Sequence, residues 1–173
     1  MNLERFKIAQ AGTDSGFDVA LKELRQGHKV SHWIWYVFPQ LRGLGRSPTA
    51  QFYAIENAEE ARAYVLDPLL GKNLLTAMQV VAGQLARGVS LDELMGGYVD
   101  SQKVVSCATL FREVSAGMAD AIPAGAIREV ANDVLEAAES QGYPPCEQTM
   151  KVLSEEDGAK VRLNRMSPDF PEN

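Results

Sequence analysis

The sequence is poor in cysteine and histidine and has no long apolar run. Two cysteines, Cys107 and Cys146, in 173 residues do not make a disulfide scaffold, and reduced thiols are expected. The two histidines, His28 and His32, have the spacing of two ligands on one helix face, but Gly27 breaks that helix and no third ligand accompanies them. No metal site is therefore expected, and no motif implies a cofactor. No segment approaches the roughly eighteen apolar residues of a membrane span. The opening MNLERFKIAQAG carries charge within its first seven positions and lacks the apolar centre of a signal peptide, so a cytoplasmic location is expected. A basic excess is missing too. Seventeen Lys and Arg against 23 Asp and Glu leave a net charge of −6, which argues against a nucleic-acid partner and against an anionic membrane surface.

What is present is helix punctuation. Leu3, Phe6 and Ile8 suggest a short first helix. Phe17, Ala20, Leu21 and Leu24 share one helical face, and Gly27 suits the left-handed residue that ends such a helix. Ser47-Pro48 and Asp67-Pro68 each read as an N-cap followed by a first-turn proline. Asn57 with Glu60, and Ser90 with Glu93, have capping-box spacing. A helix is expected through Lys103 to Phe111, and another from Pro123 with Ile127, Val130, Val134 and Leu135 on its apolar stripe. There is no hairpin signature and no internal repeat. These signals predict an all-α fold, a single compact multihelical domain with short loops over residues 1–153. From Ser154 the composition turns polar, with two prolines, and 154–173 is expected to be an extension, poorly ordered or loosely docked.

The segment SHWIWYVFPQLRGLGRS, Ser31 to Ser47, stands apart. Trp33 to Phe38 is apolar throughout and fits a strand or an all-round buried helix by period alone; the helical surroundings favour a short central helix, stopped by Pro39. Its aromatics fit a plain core. Two tryptophans beside His32 also fit the aromatic wall of a small-ligand pocket. After it, Gly43 and Gly45 permit positive φ, so successive N–H groups could form an anion nest leading into the helix start at Ser47. Arg42 and Arg46 offer guanidinium forks for phosphate or carboxylate, unless they are solvated or paired with acids. Between Glu23 and Glu56 there is no acid, so Arg25, Lys29, Arg42 and Arg46 concentrate positive charge within an acidic protein.

Farther on, Lys103, Ser106 and Thr109 recur at spacing three and could share a polar helix face, with Cys107 turned into the core as an inert thiol. No G-x-S-x-G elbow or Cys-His signature occurs. Several uncommon elements follow one another: ALKELRQGHK, then H-W-x-W-x-x-F-P-Q at His32 to Gln40, L-G-x-S at Leu44 to Ser47, E-A-x-A-Y-x-x-x-P-x-L-G from Glu60 to Gly71, and T-L-F at Thr109 to Phe111. In this the chain, from about Leu3 to Leu153, resembles DUF1810, a bacterial family of unknown function. Val105 and Ala108 depart from the family's K-x-x-S-x-x-T-L-F pattern. The resemblance implies an all-helical fold and brings no established activity.

The functional expectation is a small anionic ligand, a nucleotide or a sugar phosphate. Arg42, Arg46 and the backbone of Gly43, Gly45 and Ser47 would hold the anion. Trp33 or Trp35 would form the wall, Gln40 and His32 would orient the ligand, and Lys103 and Thr109 would lie alongside. If proton transfer occurs, His32 is the candidate catalytic residue. The competing expectation is a protein-interaction or structural module with the aromatics in the core and the arginines on an outer face.

Overall fold

Side-chain oxygens start four of the helices. Ser47 Oγ accepts the N–H of Ala50 at 3.1 Å, and Asn57 Oδ1 that of Glu60 at 2.9 Å. Asp67 Oδ1 accepts from Leu69 and Leu70, both at 3.1 Å, and Ser90 Oγ accepts from Glu93 at 3.2 Å. Each cap satisfies an N–H that the helix leaves without a partner and contributes about 1 kcal/mol. The capping box at Asn57 is only half made. Glu60 turns instead to the guanidinium of Arg5, at 2.9 and 3.0 Å, and to the N–H of Glu56 at 2.8 Å.

The computed structural model describes residues 2–118 and 121–166. Within them the chain forms α1 (Glu4–Gln10), α2 (Phe17–Gln26), α3 (Ile34–Val37), α4 (Pro48–Phe52), α5 (Ala58–Leu66), α6 (Pro68–Ala86), α7 (Leu91–Met95), α8 (Tyr98–Ala116), α9 (Ile122–Glu139) and α10 (Glu147–Met166). A lone parallel bridge between Leu41 and Ile55 is the β-type pairing among the described residues. The fold is all-α. Its centre is α9 packed against both α6 and α8, with α2 on α6, α5 on α6 and α8, and α10 on α8. Gly71 permits the tight turn between α5 and α6: a Cβ there would meet the carbonyl oxygen of Val65 at 2.2 Å.

The core is aromatic at its middle. Phe6, Trp33, Phe38, Tyr64 and Phe111 are fully buried, with Tyr64 edge-on to Phe6 at 5.1 Å and tilted against Phe111 at 5.3 Å. The side-chain amides of Gln10 and Asn73 enter this region and are paired. Gln10 Nε2 donates to the Tyr36 carbonyl at 2.7 Å and to Tyr64 Oη at 3.0 Å, and Asn73 Nδ2 donates to Gln10 Oε1 at 2.8 Å. This network joins α1, α3, α5 and α6, and its hydrogen bonds offset the desolvation cost of those buried groups.

Of the run Trp33 to Phe38, Ile34–Val37 forms one helical turn, with Trp33 at its N-cap and Phe38 at its C-cap, before Pro39. Its entry is clamped by one carboxylate. Glu23 on α2 accepts from the N–H groups of Val30 and Ser31, from the Ser31 hydroxyl, and from Trp33 Nε1 at 2.7 Å. Burial pushes the Glu23 carboxyl up. The donors of the 30–33 turn outweigh that and bring it down to about 2.

The division expected at 153/154 falls inside α10, which runs unbroken across it. Leu153 is buried against the body, and Glu156 accepts the N–H of Ala58 at 2.9 Å, tying α10 to the start of α5. The end of the proposed extension, 167–173, lies outside the described residues.

Candidate functional site

Beyond Pro39 the chain is pinned by the Leu41–Ile55 bridge. The Gln40 carbonyl accepts from Ile55 N and the Ile55 carbonyl from Arg42 N, both at 2.8 Å. That seals Leu41 in the core and places Arg42 beside Glu56, with which it forms an exposed ion pair. Arg42 is thereby turned from the anion-binding role expected of it. The nest is also incomplete. Gly43 has φ 93°, but Gly45 does not share the left-handed region. Gly45 is needed for space instead, because a Cβ there would lie 2.4 Å from the Ala50 Cβ. An N–H of the first turn of α4, that of Ala50, is already taken by Ser47. A backbone anion cradle at Gly43 to Ser47 is therefore not built.

Side chains instead line a hollow beside this loop. Gln40, Leu44, Gly45, Arg46 and Ser47 form one side of a hollow of about 430 Å³. Val99, Gln102, Lys103 and Ser106 form the facing side; their spacing of three, one and three places them on one face of α8. Cys146 and Gln148, at the entry to α10, close a third side, and Trp35 contributes its half-buried indole.

Electrostatics hold the α8 side in place. Lys103 Nζ lies 4.8 Å from the Trp35 ring centre and 2.7 Å from Asp100 Oδ1. The other oxygen of Asp100 meets Lys29 Nζ at 2.8 Å, and Lys29 in turn lies 5.4 Å over the Trp33 ring. Burial pushes the Asp100 carboxyl up, and the two ammonium groups outweigh it and hold it below the usual aspartate range. One carboxylate thus serves two cations. Arg46, on the opposite side, makes no ion pair among the described residues. The region keeps a positive excess inside an acidic protein.

The expected site residues divide accordingly. Trp35, Gln40, Gly45, Arg46, Ser47 and Lys103 come together. Gly43 and Arg42 do not reach the hollow. Trp33 is sealed in the core with its indole N–H given to Glu23, so it offers a ligand no face. His32 sits between Ser31 and Trp33, both of which turn inward to Glu23, and is left exposed outside the hollow. No catalytic role for His32 is supported by that placement. Thr109 is fully buried. Its Oγ1 donates to the Val105 carbonyl at 2.8 Å and accepts from Cys146 N at 3.0 Å, so it supports the third side from beneath. Cys107 is buried and its thiol pushed up by burial, as an inert core thiol should be.

Sequence reasoning missed Val99, Gln102, Asp100, Cys146 and Gln148. The first three lie within a helical turn of Lys103, a signal that extending its face would have caught. Cys146 and Gln148 come from another helix and have no local signature. A further hollow of about 400 Å³ between α2 and α6 carries Arg25 and Arg87. Each stands at the C-terminal end of its helix, where the macrodipole stabilises a cation, so neither requires a ligand. Among the described residues no group of three or more His, Cys, Asp or Glu could hold a metal ion, and no helix is long and apolar enough to cross a membrane.

The molecule is thus an all-α domain with one cationic, aromatic-sided hollow between the 40–47 loop and α8. By sequence the chain belongs to the DUF1810 family, described as proteins of unknown function, whose pattern matches residues 1–131. That match ends within α9, short of the Leu153 limit of the expected resemblance. The conserved hypothetical protein Rv1873 from Mycobacterium tuberculosis, known from a crystal structure at 1.38 Å, is similar over 88% of this chain and 96% of its own, with 34% identity and a TM-score of 0.73. No curated protein matches the sequence.

Proposed function

We propose that this domain binds a small anionic ligand, a nucleotide or a sugar phosphate, in the hollow between the 40–47 loop and α8. The observation that carries this reading is Arg46. Its guanidinium has no carboxylate partner among the described residues and borders the same space as Lys103 and Trp35. A phosphate could take charge-assisted hydrogen bonds from both cations, while Gln40 and Ser47 supply neutral polar groups beside them. The net charge of −6 disfavours a long polyanion. The reading is one of binding. Ser106 Oγ donates to the Gln102 carbonyl at 2.9 Å, and no base accompanies it among the lining residues.

Tryptophan fluorescence tests the reading directly, because Trp35 is the indole that borders the hollow and Trp33 is sealed away. Titration with a panel of nucleotides and sugar phosphates should quench emission, and Arg46→Ala should weaken the response at least tenfold. A flat response across the panel, with a protein partner co-purifying, would instead favour the interaction-module reading.

A further inference from the structure

The hollow does not end at α8. Beyond Gln102 and Ser106 lies a second depression of about 280 Å³, bordered by Tyr98, Tyr143, Pro144 and Glu147. Gln102, Ser106 and Cys146 border both spaces and form a saddle between them. The saddle is low. The Ser106 hydroxyl is folded back onto its own helix, and Cys146 is small and held down through its N–H by Thr109.

The two ends differ in chemistry. The first carries Arg46 and Lys103. The second has no cation on its border; it has an exposed Tyr98 ring, prolines and the Glu147 carboxylate. The Trp35 ring already has the Lys103 ammonium 4.8 Å from its centre; Tyr98 has the Tyr143 ring 5.6 Å away on one side and, at 59% exposure, leaves the rest of its ring open to the groove. A sugar phosphate held at Arg46 and Lys103 would engage only the cationic end and leave the other empty. A second phosphate at the far end would meet Glu147. A phosphate joined to a neutral planar base with amino donors matches both ends.

Resting on the anion-binding reading above, we infer that the two depressions take one nucleoside monophosphate lengthwise. The phosphate lies at Arg46 and Lys103, and the base crosses the saddle to stack on Tyr98 with its amino edge toward Glu147. Base–aromatic stacking of this kind contributes about 1–3 kcal/mol.

Calorimetric titration of the full chain with AMP and with ribose 5-phosphate tests this. AMP should bind at least fivefold more tightly than ribose 5-phosphate. Tyr98→Ala should abolish that difference and leave ribose 5-phosphate affinity unchanged, and Tyr98→Phe, which keeps the ring, should retain it. Circular dichroism establishes that each variant is folded. Equal affinities for the two ligands, or AMP affinity unmoved by Tyr98→Ala, would overturn the lengthwise placement and leave the anion hollow standing. No binding of either phosphate would remove both the hollow reading and this one.

Discussion

Trp33 and Trp35 lie two residues apart and have nearly the same company. Each has a lysine over its ring, and the two lysines share the carboxylate of Asp100. Yet Trp33 is sealed in the core and Trp35 borders an open hollow. Trp33 is the N-cap of α3 and Trp35 its second residue, and their side chains leave the turn in different directions. Trp33 meets Glu23 and the core, and Trp35 meets solvent and α8. Composition does not distinguish a structural from a functional aromatic; the direction of the side chain does.

The comparison makes testable demands, the largest on stability. Trp33→Ala should cost about 3–5 kcal/mol in urea unfolding, since it empties the core and strips Glu23 of a donor. Trp35→Ala, at a half-buried position, should cost well under half of that. Equal losses would erase the distinction between the two indoles.

Acid should act on the Trp33 side through Glu23. Its carboxyl lies at about 2 when folded against an ordinary value of 4.5. A depressed carboxyl stabilises the fold above its unfolded value, and that contribution is lost as pH falls through the folded one. Thermal melts should therefore drop between about pH 4.5 and pH 2, and Glu23→Gln should flatten that limb while lowering stability at neutral pH. An unchanged acid limb in the variant would show that the clamp is not what holds the turn.

On the open side, Gly45→Ala should reduce ligand affinity by several-fold in the fluorescence titration, because a Cβ forces the loop away from Ala50. The smallest effect is expected at Arg42. Its pair with Glu56 is exposed on both partners, so Arg42→Ala should leave both the melting temperature and ligand affinity unchanged, in contrast to Arg46→Ala. A loss of affinity at Arg42 equal to that at Arg46 would redraw the site.

Much of the fold was legible from local chemistry. Ser47, Asn57, Asp67 and Ser90 cap the helices that their spacing predicts, because a cap involves only residues within one turn. The lining of the hollow was legible only in part. Arg46, Lys103 and Trp35 could be named, but Arg42 could not be told from Arg46, since Glu56 becomes its partner through the Leu41–Ile55 bridge. The polar end of the chain concealed a helix, because α10 is held at Leu153 and Glu156 by contacts with distant residues.

By itself, then, the sequence determined the helical class, the starts of the four helices capped by Ser47, Asn57, Asp67 and Ser90, and the net negative charge, for these depend on propensity, capping and charge within a few residues of one another. The tertiary structure alone decided which tryptophan is open, which arginine lacks a carboxylate partner among the described residues, and that Cys146 and Gln148 border the same hollow as the 40–47 loop. Those outcomes depend on groups far apart in the chain, and only packing decides which of them share a buried or an open surface.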